Sequence, residues 1–381
     1  MGSNNIIMVE SYSDLLDMKK EIKQNNFVSF DLEGNGLHRY PEKVCLLQFA
    51  TDKNIYLVDP IVINDITPLG GIFIDPSIQK IIHASGYDIR CLDRDWGFKI
   101  KNIFDTSIAA SFTGSNRLGL NSILNEHLFL NLSENKTFQK ADWTNRPLNK
   151  NLIKYASQDV IYLKTLRDSL IKKLENLGRL NWVIEECKIL ELIRYECKDE
   201  ENAYLSIKGS GILDVRGITV LSSLYKFRDI EARKRDRPPF KIISDRKLLE
   251  LSQNWQKEKN KLYKMDLNED GFYSRLYKAF EEGLNSKLKT RPKVDKKIIK
   301  ISHDDQIHMR ERYDHLKTWR IKISKKLNLA PSIIWPLASL NRLAKKSHQL
   351  ELELSDISIK NWQKEMFSKD LDKFLTSLIN I

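Results

Sequence analysis

The chain has 381 residues, of which 41% are hydrophobic and 30% charged, a balance that excludes a disordered chain and predicts two or three domains. The net charge of +12 indicates an acidic partner, either nucleic acid or an anionic membrane surface. Residues 1–200 carry a net charge of −2, whereas residues 201–381 carry +14. Because no apolar run is long enough to span a membrane and no signal peptide pattern is present, we expect a cytoplasmic protein with no membrane partner.

The four cysteines are scattered and have no metal-binding spacing. They are Cys45, Cys91, Cys187 and Cys197. No Cys-x-x-Cys pair occurs, and no histidine lies at a spacing that would complete a zinc site. We therefore expect free thiols in a reducing compartment and no structural zinc.

The first half of the chain alternates between short strands and helices. Strands are predicted at residues 27–31, 44–49, 55–58, 80–84 and 101–104. Helical patterns are predicted at residues 87–96 and 150–177, with a polar loop at 131–149 before the second of them. The first three strands are close enough in sequence to form a meander. The pattern predicts an α/β domain with a mixed sheet flanked by helices.

The predicted secondary structure changes near residue 204. Strand-like runs end there, and the residues beyond it have Lys, Arg, Leu and Trp at helical spacing. A weak repeat at an offset of 92 residues aligns Phe227 with Trp319 and Arg228 with Arg320. The alternative is that two amphipathic helices fall into register by chance. We therefore predict three domains, at residues 1–205, 210–286 and 305–381, of which the last two are helical. The boundary after the first domain lies within 200–212, and a lysine-rich linker at 287–300 joins the two helical domains.

Asp31 and Glu33 end the first predicted strand and lie two residues apart, so both side chains project from one face of the sheet. Two anions held this close repel each other unless a cation neutralises them. The pair is therefore a candidate site for a divalent metal with oxygen ligands. The alternative is an ordinary pair of surface carboxylates.

Two further acids and a tyrosine lie at positions where they can join such a site. Tyr155 and Asp159 are four residues apart on a predicted helix and share a face, although a core tyrosine beside an exposed aspartate would look the same. Asp88 follows a strand and begins a helix, where it can simply be a cap. Asp105 is also interpreted as a helix cap.

The five residues Asp31, Glu33, Asp88, Tyr155 and Asp159, in this order, resemble the motifs of the DEDD superfamily of 3′-5′ exonucleases, in its tyrosine-bearing branch. The surrounding words KTFQKADW at 136–143, NRPL at 145–148 and YASQDV at 155–160 are similar to those of the ribonuclease D family. Downstream, RDRPPF at 235–240 resembles the helical HRDC domain that this family shares with RecQ-type helicases. The resemblance covers nearly the whole chain.

The resemblance implies a ribonuclease H-like exonuclease domain followed by two small all-α HRDC-like domains. It also implies hydrolysis that uses two divalent cations, Mg²⁺ or Mn²⁺, and releases nucleoside 5′-monophosphates. By this resemblance Asp31 contacts both cations, Glu33 and Asp159 bind the one that carries the attacking water, and Asp88 binds the other. Tyr155 orients that water, since a phenol with an ordinary pKa near 10 is a poor base at neutral pH.

Three residues near these motifs are candidates for substrate binding. His83 can carry a proton beside the second motif, or it can be a buried, hydrogen-bonded histidine. Trp143 and Arg146 can stack on a terminal base and hold a phosphate, as single-strand readers do. Alternatively, a tryptophan at this position packs in the core.

Basic residues crowd around the Pro-Pro turn of the first helical domain. They are Arg233, Lys234, Arg235, Arg237, Lys241, Arg246 and Lys247. Phosphate binding explains the cluster, with Arg235 and Arg237 as its named candidates, whereas a solvated face is the alternative for any single residue. The second helical domain lacks the Arg-Pro-Pro-Phe motif. The alternative to nucleic-acid binding for this domain is packing against the nuclease domain or the first repeat.

The leading hypothesis is an exoribonuclease that trims structured RNAs such as tRNA precursors and acts as a monomer. A second hypothesis keeps the chemistry but makes the substrate DNA, as in proofreading and repair exonucleases. A third is a catalytically silent RNA-binding scaffold. The intact set of carboxylates argues against the third.

Overall fold

The structure is a computed structural model, and it describes residues 5–132, 136–197, 199–265, 271–292, 302–345 and 349–379. Most of the predicted linker at 287–300 lies outside the described residues. In the described part of the chain, no helix has both the length and the apolar character that crossing a bilayer demands. All four cysteines are free thiols, and Cys197 is exposed.

A six-stranded mixed sheet forms the centre of the first half. Its strands are β1 (Asn5–Val9), β2 (Phe27–Gly34), β3 (Val44–Ala50), β4 (Asn54–Val58), β5 (Gln79–Ile82) and β6 (Ile103–Asp105). The spatial order is β1-β4-β3-β2-β5-β6. The meander β2-β3-β4 is antiparallel, whereas β1 pairs with β4 and β5 pairs with β2 and β6 in parallel. The mixed sheet of the predicted α/β fold is confirmed, and β1 is an additional edge strand.

Nine helices of the described residues surround this sheet. They are α1 (Tyr12–Ile22), α2 (Gly70–Phe73), α3 (Gly86–Trp96), α4 (Thr106–Phe112), α5 (Leu120–Leu128), α6 (Lys136–Gln139), α7 (Lys150–Ile161), α8 (Leu163–Asn176) and α9 (Leu180–Leu190). The long helix predicted at 150–177 is two helices, because the backbone of Tyr162 departs from the helical ladder between α7 and α8.

The two faces of β2 explain how the sheet is buried. Val28, Phe30 and Leu32 point to the layer that contains α1, α2 and α3 and join one apolar core. Phe27 points to the opposite face, where the core includes residues of α7 and α8. Because side chains alternate along a strand, Asp31 and Glu33 must lie on the same face as Phe27, beneath α7.

Short 3₁₀ turns at Ala203–Ser206 and Ser210–Ile212 lead into the helical half. Its elements are α10 (Val215–Arg235), α11 (Pro239–Ile242), α12 (Asp245–Gln253), α13 (Trp255–Met265), α14 (Phe272–Asn285), α15 (His303–Leu327), α16 (Pro331–Ile334), α17 (Leu337–Lys345), α18 (Leu350–Leu354) and α19 (Asn361–Ile379). A separate apolar core joins residues from Tyr204 to Phe280. This core belongs to the first helical segment alone.

The last five helices pack differently, because they share an apolar core with the nuclease half. Leu170 of α8 and Trp182 of α9 belong to the same cluster as Leu316 of α15 and Leu371 of α19. The rings of Trp182 and Trp362 stack with their centroids 4.7 Å apart across this junction. The second helical segment therefore packs on the nuclease half.

The repeat predicted at an offset of 92 residues has the same burial in both copies. The buried residues of α10 include Leu224, Phe227 and Arg228, and those of α15 are Leu316, Trp319, Arg320 and Ser324. Arg228 forms an ion pair with Asp245 at 2.5 Å. The position equivalent to Asp245 is Leu337, so Arg320 lacks this partner.

The shared core leads to a stability prediction. Leu371→Ala removes a fully buried side chain of α19 and should lower the free energy of unfolding by about 2–5 kcal/mol. Leu352→Ala is the matched control, since Leu352 is 65% exposed, and its effect should stay within about 0.5 kcal/mol. Urea titration followed by tryptophan fluorescence measures both. Equal midpoints for the two variants would contradict the shared core.

Candidate active site

Asp31 and Glu33 lie two residues apart on β2, on the face of the sheet that α7 covers. Asp31 lies opposite Gln48 of β3, and Glu33 lies opposite Leu46, so all four side chains share one face of the sheet. The register shifts between Glu33 and Gly34, which ends regular pairing immediately after the second acid. The predicted common face of Asp31 and Glu33 is confirmed by this pairing.

Helix α7 carries Tyr155 and Asp159 above this face. It begins at an N-cap, where the side chain of Asn149 accepts a hydrogen bond from the backbone N–H of Asn151. Ala156 and Val160 bury the helix against the sheet. Tyr155 and Asp159 are only partly buried, one turn apart on the same helix. The ring of Tyr155 packs between Phe138 and Trp143, with centroid distances of 6.0 and 6.3 Å.

Asp88 lies in the first turn of α3, directly after the end of β5. The connecting turn includes Ala84 at a φ of 55°, a left-handed conformation that a residue other than glycine adopts at a cost. Asp105 holds this turn, because its carboxylate accepts from the backbone N–H of Ala84 at 3.1 Å and of Ser85 at 2.8 Å. Asp105 also caps α4, as predicted, by accepting from the N–H of Ser107.

Each of the four carboxyl groups lies near enough to another to affect its charge, and all four pKa values are raised. Burial raises the pKa of Asp31 to about 7. Burial, with the charge of Asp31, raises the pKa of Asp159 to about 8. Burial holds the pKa values of Glu33 and Asp88 well above their ordinary range, and neighbouring carboxylates add to both shifts. Among the described residues, no Lys, Arg or His forms an ion pair with any of the four.

Tyr155 faces the same group of acids. Burial raises the pKa of its phenol above the ordinary value, and the charges of Asp159, Glu33 and Asp31 raise it further. The phenol therefore stays protonated at neutral pH, where its O–H can donate a hydrogen bond. A protonated phenol cannot accept a proton as a general base at that pH.

The donor set fits a hard divalent cation by its chemistry. Carboxylate oxygens are the ligands that Mg²⁺ and Mn²⁺ prefer, and four converging acids without a paired cation need positive charge to ionise together. In the described part of the chain, no three Asp, Glu, His or Cys side chains stand in a finished metal-binding arrangement.

Two of the substrate-binding candidates beside the site are structural. Trp143 is 1% exposed, so its ring packs in the core and offers no face to a base. Arg146 forms an ion pair with the fully buried Asp59 and donates to the backbone oxygens of Trp143 and Cys45. These contacts correct the expectation that the two residues bind RNA, and the packing alternative accounts for both.

His83 is partly buried and hydrogen-bonded, in line with the second of its two interpretations. Its Nδ1 lies 2.9 Å from Oγ1 of Thr106. Burial lowers the pKa of its imidazole, while the charge of Asp105 and a hydrogen bond with the backbone of Leu118 act in the opposite direction. These contacts tie the end of β5 to the loop before α5.

The two candidates in the first helical segment differ from each other. Arg235 forms an ion pair with Glu231 at 2.7 Å, and its guanidinium lies 4.8 Å from the ring centroid of Phe272. Those contacts hold Arg235 within its own segment, so it is a weaker candidate for phosphate binding than the sequence suggests. Arg237 has an exposed side chain and remains a candidate.

A junction that sequence reasoning missed joins this basic turn to the loop after Glu33. The hydroxyl of Tyr40 donates to Asp229 of α10, and Arg39 lies 3.2 Å from Asp236 at the end of that helix. Arg39 also lies 3.3 Å from Asp142, close to Trp143 in sequence. Nothing in the local sequence pattern indicates these pairs, since the partners of Tyr40 and Arg39 lie more than 100 residues away in the sequence.

Gln48 is a second residue that sequence reasoning missed. It is fully buried opposite Asp31, and neither its amide nitrogen nor its carbonyl oxygen has a hydrogen-bond partner. A buried amide in this state carries a desolvation cost. Sequence reasoning could have found Gln48, because it is the polar residue in an otherwise apolar strand.

Comparisons with known proteins agree with this site. The family model described as "3'-5' exonuclease" matches residues 6–175, which include all five site residues. A ribonuclease D of Desulfotalea psychrophila is 31% identical over 255 residues, covering 66% of this chain and 67% of the relative. A ribonuclease D of Bartonella henselae is 26% identical over 379 residues, covering 98% of this chain and 90% of the relative.

The solved structures show the same fold. The crystal structure of Escherichia coli RNase D, described as an exoribonuclease involved in structured RNA processing, superposes with a TM-score of 0.71 at 22% identity. The match covers 98% of this chain and 99% of that chain. Fold and sequence matches together define a 3′-5′ exonuclease, a phosphodiester hydrolase. More particularly, the chain belongs to the ribonuclease D family and is a ribonuclease D-like 3′-5′ exoribonuclease.

The raised pKa values predict how stability depends on pH when metal is absent. Because the native carboxyl of Asp159 keeps its proton to about pH 8, whereas the unfolded one loses it near pH 4, the free energy of unfolding falls as pH rises between these values. Asp159→Asn removes this loss. The variant, treated with a chelator, should therefore melt at a higher temperature than the wild type at pH 8, with a smaller gain at pH 5.

The control for this experiment is Asp168→Asn, whose side chain is 44% exposed and paired with Arg167 on α8. Loss of that surface pair should cost about 0–1 kcal/mol at either pH. Added Mg²⁺ should raise the melting temperature of the wild type more than that of Asp159→Asn. Identical melting curves for wild type and Asp159→Asn at pH 8 would show that the site is not electrostatically strained.

Proposed function

We propose that the protein hydrolyses RNA from its 3′ end at the site formed by Asp31, Glu33, Asp88, Tyr155 and Asp159, using two divalent cations, Mg²⁺ or Mn²⁺. The proposal is carried by one observation: four converging carboxyl groups have raised pKa values and no ion-pair partner among the described residues. The products are nucleoside 5′-monophosphates.

The four acids hold the cations in this proposal. Asp31 would be shared by the two cations, Glu33 and Asp159 would hold the one nearer the attacking water, and Asp88 would hold the other. When bound, divalent cations offset the negative charge that develops on the scissile phosphate and favour the ionised form of the attacking water. Because the pKa values of Asp31 and Asp159 are raised to about 7 and about 8, a bound cation would favour their ionised forms, and metal binding should strengthen as pH rises.

Tyr155 positions the attacking water. Its protonated phenol, on the same face of α7 as Asp159, donates or accepts a hydrogen bond that fixes the water in line with the scissile bond. Packing against Phe138 and Trp143 immobilises the ring, so the hydroxyl is held in one place. This positioning lowers the activation free energy by more than the single hydrogen bond contributes, because it removes unproductive orientations of the water.

RNA with a 3′ extension, such as a tRNA precursor, is the proposed substrate. The +14 charge of residues 201–381 supports binding of a structured, polyanionic partner. The contacts of Tyr40 and Arg39 with α10 place the exposed Arg237 at the junction with the loop after Glu33. The comparison with Escherichia coli RNase D, described as processing structured RNA, points the same way. The active form in this proposal is a monomer.

A graded pair of variants tests the site. Asp31→Asn should reduce kcat on a 3′-labelled RNA by about 1,000-fold or more, because it removes the ligand that contacts both cations. Tyr155→Phe keeps the ring packing and should reduce kcat by about 10–100-fold with little change in KM. RNA binding by both variants, measured by fluorescence anisotropy, should stay near the wild-type value. Wild-type activity in Asp31→Asn would refute the assignment.

A time course on a tRNA with a 3′ extension tests the substrate. We expect nucleotides to be removed one at a time and the products to accumulate at the mature end, because the folded acceptor stem resists entry into a single-strand site. A DNA overhang of the same sequence, digested in parallel, should be cut more slowly. Preferred cleavage of the DNA would support the repair-type alternative, and absence of cleavage in both metals would support the silent scaffold.

A further inference from the structure

The buried amide of Gln48 has no role in the site as described above. Gln48 lies on β3 with a side chain that is 0% exposed, and neither Nε2 nor Oε1 has a hydrogen-bond partner within the described part of the chain. An apolar residue of similar length would avoid the desolvation cost that this amide carries. The presence of a glutamine here therefore indicates a role other than stabilising the fold.

The register of the sheet fixes what surrounds this amide. On the face that α7 covers, Gln48 lies opposite Asp31 of β2 on one side and opposite Leu57 of β4 on the other. Leu46 and Ala50 are its neighbours two residues along β3 on the same face. The three apolar neighbours belong to the core beneath α7. Of these four neighbours in the sheet, Asp31 is the one with a polar side chain.

The spacing of opposite positions allows the two side chains to meet. Directly opposed residues of an antiparallel pair have Cβ atoms about 4.5–5.5 Å apart, and the two methylene groups of a glutamine let its amide cross this gap by changing rotamer. The Asp31 carboxylate accepts a hydrogen bond from the backbone N–H of Leu32. A carboxylate has two oxygens and about four lone-pair sites, so it has room for a further donor.

The chemistry of the amide distinguishes its two ends. The NH₂ group of Gln48 only donates, whereas its carbonyl oxygen only accepts. Trp143 lies in the same core, and its indole N–H also lacks a partner among the described residues. An indole N–H can serve only the carbonyl oxygen, because one donor cannot satisfy another. The amide hydrogens need an acceptor, and the carboxylate of Asp31 is the acceptor directly opposite.

We propose that Gln48 is a positioning residue for the metal site, whose Nε2 donates to the Asp31 carboxylate and orients it toward the cations. The inference rests on the proposed function, in which Asp31 is shared by the two cations. Carboxylates that bind metals are themselves hydrogen-bonded by neighbouring groups, and loss of such a partner weakens metal binding. In this role the amide acts on hydrolysis through Asp31 and does not contact the RNA.

Gln48→Met tests this role, because methionine keeps the length of the side chain and removes the donor. The dissociation constant for Mg²⁺, measured by isothermal titration calorimetry on the full chain, should rise by about 10–100-fold. In the Asp31→Asn background the same substitution should cause no further loss, because the carboxylate that it orients is gone. RNA affinity, measured by anisotropy in chelator, should match that of the wild type.

A satisfied glutamine provides the matched control. Gln363 is also buried, but its Nε2 donates to the backbone oxygen of Ile333 at 2.8 Å and its Oε1 accepts from the N–H of Lys360 at 3.0 Å. Gln363→Met should lower the melting temperature and leave the affinity for Mg²⁺ unchanged. In chelator, Gln48→Met should melt at the wild-type temperature or above it, because it removes an unpaired buried amide.

Two outcomes would overturn the role of Gln48. The first is an unchanged dissociation constant for Mg²⁺ in Gln48→Met. The second is a loss of melting temperature in chelator as large as that of Gln363→Met, which would show that the amide is structural. A wild-type protein that neither binds Mg²⁺ nor hydrolyses a 3′-labelled RNA would refute the proposed function itself.

Discussion

The repulsion among four neighbouring carboxyl groups, one buried and three partly buried, is the constraint on which the rest of the nuclease half depends. The sheet places Asp31 and Glu33 side by side, α3 brings Asp88, and α7 brings Asp159, although each added charge makes the others harder to ionise. Folding supplies the energy that assembles them. The fold therefore holds an unfavourable charge arrangement, which the carboxyl groups relieve by keeping their protons to higher pH and which a bound cation would also relieve.

Much of this site could be predicted from sequence because its geometry is local. A spacing of two on β2 and of four on α7 places each pair of residues on one face without any knowledge of the fold. The edge strand β1 was missed because its residues are mostly exposed and carry little alternation. Trp143 and Arg146 could not be assigned, since burial and the partner Asp59 are decided by distant parts of the chain.

In the helical half, too, the sequence pattern does not identify packing partners that lie far away in the chain. Amphipathic spacing in α15 and α19 predicts that one face is buried, but it does not say against what. The structure shows that the two repeats have different surroundings, with α10 and α14 enclosing their own core and α15 and α19 joining that of α8 and α9. Arg320 shows this difference, because it is buried like Arg228, whereas the position equivalent to Asp245 is Leu337.

The core shared by α8, α9, α15 and α19 also bears on how the protein is made. A chain emerging from the ribosome exposes Leu170 and Trp182 long before Leu316 and Leu371 have been synthesised. During that interval the outer helices of the nuclease half lack the apolar surface that completes their packing. A nuclease half without the helical half therefore leaves the apolar surface of α8 and α9 uncovered.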